Sequence, residues 1–146
     1  MSIEEKREAL NKSKTYHDEN ADQIRFDANI PKTVIFPANW NEMLDYKNRE
    51  FDDQKNPGEK KSVTYTIYKV HNPNSQDAKK LRILEASASL NSEISAFLEM
   101  ALESGWNGAS IAKITKQVKG SSNFATWSVR GDKIEDQQLR ELKIIE

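Results

Sequence analysis

The chain has 146 residues, a formal net charge of −1 and no cysteine. This length fits one domain, and the absence of cysteine excludes disulfides, zinc ribbons and thiol nucleophiles. No apolar run approaches the roughly 18 residues that span a bilayer, and the opening segment MSIEEKREALNKSK lacks the apolar stretch of a signal peptide. We therefore expect a soluble protein of the cytoplasm, or of the host cytoplasm if the source is viral.

The charges are unevenly distributed along the chain. Basic residues without a single acid lie between Gly108 and Gly131, whereas acids concentrate near both ends and in the segment 93–103. Such local asymmetry is more informative than the total charge and favours an anionic partner. The alternative is that the charges of an ordinary solvated surface fall unevenly by chance.

The first strands are predicted after an N-terminal arm, residues 1–29, whose charged segment has only a thin apolar stripe. The run TVIFP, ended by Pro37, predicts a short strand. Residues 38–46 continue it as a bent strand or form a turn. Residues 62–70, SVTYTIYKV, alternate β-branched and aromatic side chains and give the clearest strand signal, and residues 81–90 predict a third strand.

The second half of the chain predicts one helix and two further strands. Residues 91–105 place five apolar side chains on one stripe with helical spacing, ahead of Gly105, which suits a helix end. Residues 109–119 and 124–131 predict strands joined as a β-hairpin by the turn GSSN. Residues 132–146 predict a C-terminal helix or tail.

This order of elements predicts a mainly β protein with some α structure. Five strands with a helix between the third and the fourth give the order of an OB-like Greek-key barrel, a fold that binds oligonucleotides and oligosaccharides on one face. We expect the barrel to occupy residues 30–131, with the arm before it and an accessory helix after it.

Four segments carry a family likeness: VTYTIYKV (63–70), LRILEASASLNSEISAFLEMA (81–101), ASIAKITKQVKG (109–120) and SNFATWSV (122–129). Together they resemble the bacteriophage-type single-stranded DNA-binding proteins. The resemblance implies an OB-fold, single-stranded DNA as ligand, a setting in DNA replication or recombination, oligomers such as a homodimer, and replication proteins as partners. The chain departs from that family in ending with ELKIIE rather than an acidic, glycine-rich tail.

Binding of single strands requires cations that follow the phosphates and aromatic rings on which bases stack. Tyr68 lies on the opposite side of its strand from Val63 and Ile67 and is the strongest stacking candidate, whereas Trp127 shares a face with Val129, which also suits a core position. The predicted nucleic-acid-binding residues are Trp40, Tyr46, Lys47, Arg49, Tyr68, Lys69, Lys113, Lys116, Lys119, Phe124, Trp127 and Arg130.

Catalytic and metal-binding patterns are absent from the sequence. His17 and His71 are far apart and lack metal-ligand spacing, and no nucleophile elbow or phosphate-binding loop occurs. The adjacent acids Asp52 and Asp53 fall in a lysine-rich loop, where solvated carboxylates are usual. We expect no enzyme activity, metal or cofactor, although a hydrolase with two carboxylates distant in sequence stays open.

The sequence therefore predicts sequence-tolerant binding of single-stranded DNA, by phosphate neutralisation and base stacking without turnover. Two alternatives remain. One is a protein-interaction or assembly module that uses the sheet face and binds no nucleic acid. The other is a barrel that binds oligosaccharides through its aromatic side chains. A homodimer would use the apolar residues Leu139, Leu142 and Ile145.

Overall fold

A single antiparallel sheet dominates the computed structural model, which describes residues 2–3, 19–120 and 125–146. Within these ranges the model has six strands and two α-helices. The strands are β1 (Lys32–Phe36), β2 (Asp45–Asp52), β3 (Lys60–His71), β4 (Leu81–Ala86), β5 (Ser110–Val118) and β6 (Ala125–Lys133). The helices are α1 (Ala88–Glu103) and α2 (Asp136–Glu141). The prediction of a mainly β protein is confirmed.

The strand β3 pairs with three other strands. Ile67 pairs with Asp45 of β2 and Glu85 of β4, so β2 and β4 lie on opposite edges of β3. His71 pairs with Ile35 of β1 and with β4, so β1 lies on the same edge as β2. The two strands therefore follow one another along that edge, separated by a 3-10 turn at Trp40–Met43.

The predicted count of five strands is wrong because β2 is a separate strand. Its sequence, DYKNREFD, is polar and lacks the alternation that marks a strand. Seven of its eight residues are exposed, so its conformation depends on the backbone ladder to β3 rather than on burial of one face. That ladder runs without interruption from Asp45–Ile67 to Asp52–Lys60.

The main core lies against one face of the sheet and is closed by α1. Sheet residues that share this face are buried: Val34, Phe36, Tyr68, Val70, Leu84, Ala86, Ala112 and Ile114. The helix contributes Leu90, Ile94, Phe97 and Leu98 on one stripe, as the helical period predicts. The predicted helix is thus confirmed, although it begins at Ala88 rather than at residue 91.

The end strands β4 and β6 do not pair in the part of the chain that the structure describes. The segment 22–29 contacts both of them. Ile24 N donates to the Ile83 carbonyl of β4 at 2.7 Å, and the Phe26 ring meets Trp127 of β6 edge to face, with centroids 5.2 Å apart. Asn29 N then donates to the Lys116 carbonyl of β5 at 2.7 Å. The sheet is therefore open, with this segment and α1 between its ends.

A second apolar cluster covers the other face of β1. Ile35 is fully buried there by Ala78, Ala109, Ile134, Leu139 and Ile144. Leu139 is thus covered within one chain, which removes it from the predicted dimer contact. The predicted helix at 132–146 is limited to α2 because residues 132 and 133 extend β6. No helix in the described ranges is long and apolar enough to cross a membrane.

His71 lies at the junction of β3 with this second cluster. Its side chain is almost fully buried, and its Nδ1 lies 3.1 Å from the Ala78 carbonyl oxygen. Burial lowers the pKa of the imidazole below its ordinary value of 6.5 because the charged form is poorly solvated there. The unfolded chain therefore binds this proton more readily than the folded chain.

We predict that the free energy of unfolding decreases as pH falls below about 6.5, by at most about 1.4 kcal/mol per pH unit from this one group. The substitution His71→Gln keeps a hydrogen-bond donor for Ala78 and removes the titration. Urea unfolding at about pH 7.5 and about pH 5.5 measures the effect. An equal pH dependence in both proteins would show that His71 is not the titrating group.

Candidate nucleic-acid interface

The strands β2, β3 and β4 share a continuous surface, here called the outer face. It consists of the side chains that point to the side of the sheet opposite Tyr68 and Val70. The ladder register aligns them across the three strands, because residues paired in an antiparallel ladder point to the same side. Its exposed and half-buried members are Asp45, Lys47, Arg49, Phe51, Lys61, Val63, Tyr65, Ile67, Lys69, Leu81, Ile83 and Glu85.

Cations and apolar or aromatic side chains face one another across the outer face. Lys47 pairs with Tyr65, Phe51 pairs with Lys61, and Lys69 pairs with Ile83. Phe51 is a large apolar side chain that is 47% exposed, and the side chain of Lys47 is 51% exposed. The surface therefore offers positive charge and apolar area together, the combination that binding of single strands requires.

The Arg49 side chain reaches from β2 over Tyr65 of β3 to Glu85 of β4. Its guanidinium carbon lies 5.6 Å from the centroid of the Tyr65 ring, within the range of a cation–π contact. Its Nη2 donates to both carboxylate oxygens of Glu85, at 2.9 and 2.8 Å. Lys47 Nζ lies 3.6 Å from the same carboxylate. Glu85 thus holds two of the cations of this surface.

The turn between β2 and β3 is fixed by Asp53. Its carboxylate accepts hydrogen bonds from Lys55 N at 2.9 Å and from Asn56 Nδ2 at 3.2 Å. The Lys55 bond, followed by the Asn56 bond, lowers the pKa of Asp53 below its ordinary value. Gly58 takes a φ of 90°, which residues with a Cβ rarely adopt. Asp53 therefore shapes the turn.

Three predicted residues, Lys47, Arg49 and Lys69, come together on the outer face. Tyr46 is 66% exposed, but alternation turns it to the other side of β2. Trp40 lies in the 3-10 turn, half-buried against the main core. Neither ring is on the outer face, although both are close in sequence to its cations.

Tyr68, the strongest stacking candidate from sequence, is a core residue. It is 2% exposed, its ring packs edge to face against Phe36, and its hydroxyl donates to Asn91 Oδ1 of α1. Burial raises the pKa of its phenol, with a smaller opposing effect from a hydrogen bond to Ser95. A base cannot stack on this ring while the core is closed.

The predicted lysines of β5 do not share one surface. Lys113 pairs with Arg130 of β6, and both are exposed on the side of the sheet away from the main core. Lys116 pairs with Trp127 and is half-buried on the core side, and Lys119 follows the end of the strand. A spacing of three alternates between faces because the side-chain period of a strand is two.

Of the two predicted aromatic residues at the last strand, the structure describes Trp127. Trp127 is half-buried and packs against Phe26 beside the main core, the alternative that its shared face with Val129 favours. Phe124 lies outside the described residues.

The outer-face residues that the sequence does not predict as binding residues include Phe51, Lys61, Tyr65 and Glu85. In the sequence, Tyr65 shares a face of its strand with Val63 and Ile67, which favours burial of that face. The opposing side, however, also carries Val70 and pairs with Leu84 and Ala86 of β4. The alternation of β4 points Leu84 and Ala86 the same way as Tyr68, a signal that becomes readable only once the pairing of β3 with β4 is known.

Among the described residues, no group of three histidine or acidic side chains is arranged to hold a metal ion. The chain matches no protein-family model, no curated protein and no solved structure. Its function is therefore argued from the geometry and charge of the outer face.

We predict that alkaline titration followed by tyrosine absorbance contains a component that ionises above pH 10, the ordinary pKa of tyrosine. The substitution Tyr68→Phe should remove that component because burial opposes formation of its phenolate. Tyr65→Phe serves as the matched control and should leave the component in place. Loss of the high-pH component in Tyr65→Phe instead would reverse the assignment of the two faces.

Proposed function

We propose that the protein binds single-stranded DNA across the outer face, without sequence specificity and without turnover, on an OB-like fold. The observation that carries this proposal is the cross-strand alignment of cations with aromatic and apolar side chains on β2, β3 and β4. Cations bind phosphates, and flat or apolar side chains contact unpaired bases.

The strand order supports an OB-like fold. If β1 and β2, which follow one another along a single edge of β3, count as one interrupted strand, the chain has five strands. The helix α1 then follows the third of them, β4, and precedes β5. In OB-folds the surface of the second and third strands binds oligonucleotides. Those strands correspond here to β3 and β4, which carry much of the outer face.

The character of the outer face favours single strands over duplex. In a duplex the bases are already stacked and paired, so Tyr65 and Phe51 would gain no base contact. A phosphate-only surface needs no aromatic residues. Phe51, nearly half exposed, leaves apolar area on this surface that an unpaired base can contact. An unpaired strand can contact the rings and the cations together.

The pair Lys113 and Arg130 supplies a second cationic position on β5 and β6. The two side chains are directly opposite in the ladder and exposed, and no ion pair links either to another described residue. Opposed like charges destabilise a ladder, so an anion beside them would be stabilising. We include both residues in the proposed interface as phosphate contacts.

We predict that the protein binds a labelled oligo-dT of about 20 nucleotides, and that the logarithm of affinity falls with the logarithm of salt concentration by about 0.7 for each phosphate contact. Fluorescence anisotropy from about 50 to about 200 mM salt measures this slope. Duplex DNA of the same length should bind more weakly. A failure to bind oligo-dT at low salt would contradict the proposal.

We predict that Tyr65→Ala weakens oligo-dT binding by roughly 5- to 150-fold, the value of about 1–3 kcal/mol for one stacked base. Tyr65→Phe should retain most of the affinity because it keeps the ring. Tyr46→Ala is the matched control, since it removes an exposed tyrosine from the opposite side of β2. An equal loss in Tyr46→Ala would place the strand on the other face.

The cations are tested in the same assay. Lys69→Gln should weaken binding and reduce the salt slope by about 0.7, because one phosphate contact is lost. Lys133→Gln is its control: Lys133 is exposed, but its Nζ lies 5.3 Å from the Trp106 ring, away from the outer face. It carries the same charge change and should leave the slope unchanged.

A protein-interaction function is the second candidate, and the surface of α1 favours it. Met100 is 63% exposed and Leu102 48% exposed, and a depression beside Met100 is lined by Phe97 and Val129. An apolar interface of this kind would depend weakly on salt. The salt dependence of binding therefore separates the two candidates.

A further inference from the structure

Two acidic residues, Asp45 and Glu85, lie on the proposed interface, and Glu85 contacts two of its cations. The Glu85 side chain is 13% exposed, and it pairs in the ladder with Ile67 of β3. Its carboxylate therefore lies within the sheet surface that the DNA would cover. A fixed negative charge at that position repels phosphates, so its presence in a DNA-binding surface requires an explanation.

The contacts of Glu85 supply one. Both carboxylate oxygens accept from Arg49 Nη2, at 2.9 and 2.8 Å, and Lys47 Nζ lies 3.6 Å away. Carboxylate and phosphate oxygens are alternative partners for the same guanidinium and ammonium groups. In the free protein Glu85 thus occupies donors of the kind that also bind phosphates.

We infer that Glu85 is a built-in competitor for the DNA backbone, which sets the affinity of the outer face by holding Arg49 and Lys47 until a phosphate replaces it. This inference rests on the proposed function. On binding, Arg49 exchanges the carboxylate for a phosphate oxygen while it keeps its position over Tyr65. The exchange breaks no covalent bond and leaves Glu85 to water or to a salt cation.

The exposure of the two cations makes this exchange feasible. The side chains of Arg49 and Lys47 are 39% and 51% exposed, so both can turn toward a ligand without opening the core. Water and salt screen the two cations on their exposed side, which weakens their pairs with the more buried Glu85. A phosphate of a polyanion can therefore displace the carboxylate.

A competing carboxylate also predicts a change in salt dependence. A cation that meets a phosphate contributes about −0.7 to the slope of log affinity against log salt for single strands. A protein cation that leaves Glu85 for a phosphate contributes less to this slope. The DNA releases one salt cation, but the unpaired Glu85 carboxylate takes one up. Removing the charge of Glu85 should therefore make binding both tighter and more sensitive to salt.

The test compares the full chain with Glu85→Gln in oligo-dT titrations over a range of salt concentrations. We expect Glu85→Gln to bind about three- to tenfold more tightly at low salt, on the scale of weak surface pairs. We also expect its slope to be steeper by up to about 0.7 for each cation that is released from the carboxylate. Glu50→Gln is the matched control, since Glu50 is the exposed acid beside Arg49 on the opposite side of β2; it should change the affinity and slope much less.

A second measurement distinguishes a Glu85 that competes with DNA for Arg49 from a Glu85 that positions Arg49 for binding. If Glu85 competes, Arg49→Gln should reduce the affinity more in the Glu85→Gln background than in the natural protein. In that background Arg49 is not paired with a carboxylate, so its full interaction with DNA is lost. If Glu85 only positions Arg49, Glu85→Gln weakens binding with an unchanged slope, and the inference is wrong. The proposed function survives that result, provided the natural protein binds oligo-dT and Tyr65→Ala binds it more weakly. Failure of both proteins to bind oligo-dT overturns the function and the inference together.

Discussion

The register of β3 determines which side chains the protein buries and which it exposes. This strand pairs with β1 and β2 along one edge and β4 along the other, so its alternation is imposed on four strands at once. Tyr68 and Val70 point into the main core with Leu84, whereas Tyr65 and Lys69 point outward. A slip of one residue would exchange the two sets. The register of β3 therefore determines both the core and the proposed interface.

Elements with a strong apolar period could be predicted from sequence. The stripe of α1 and the alternation in β3 and β5 identify those segments because burial imposes the period. The strand β2 could not be predicted, since pairing with β3 rather than burial holds it extended. Nor could periodicity decide which side of β3 is buried: Tyr65 and Ile67 on one side are as apolar as Tyr68 and Val70 on the other. The strand β4 resolves this choice only when its pairing partner is known.

The candidate site could be predicted only where a basic residue also lies on the outer face. Lys47, Arg49 and Lys69 reach the outer face as predicted sites, but basic residues nearby have structural roles. Lys32 is buried and its Nζ pairs with Glu19 at 3.2 Å. Arg82 is also buried, and its guanidinium donates to the backbone carbonyls of Asn20 and Asp77. These two cations fix the segment before β1 to the sheet. A net charge of −1 is compatible with a cationic surface, because most of the acids and the structural cations lie elsewhere.

The most direct test of the central claim is to map oligo-dT binding by amide chemical shifts in the isotopically labelled protein. The outer face predicts that the largest shifts fall on β2, β3 and β4, at residues such as Lys47, Tyr65 and Lys69, and that raised salt reverses them. The helix α1 should respond little, because it packs on the other side of the sheet. Shifts concentrated around Met100 and Leu102 of α1, or no shifts at low salt, would contradict the assignment of the outer face as the site of single-strand binding.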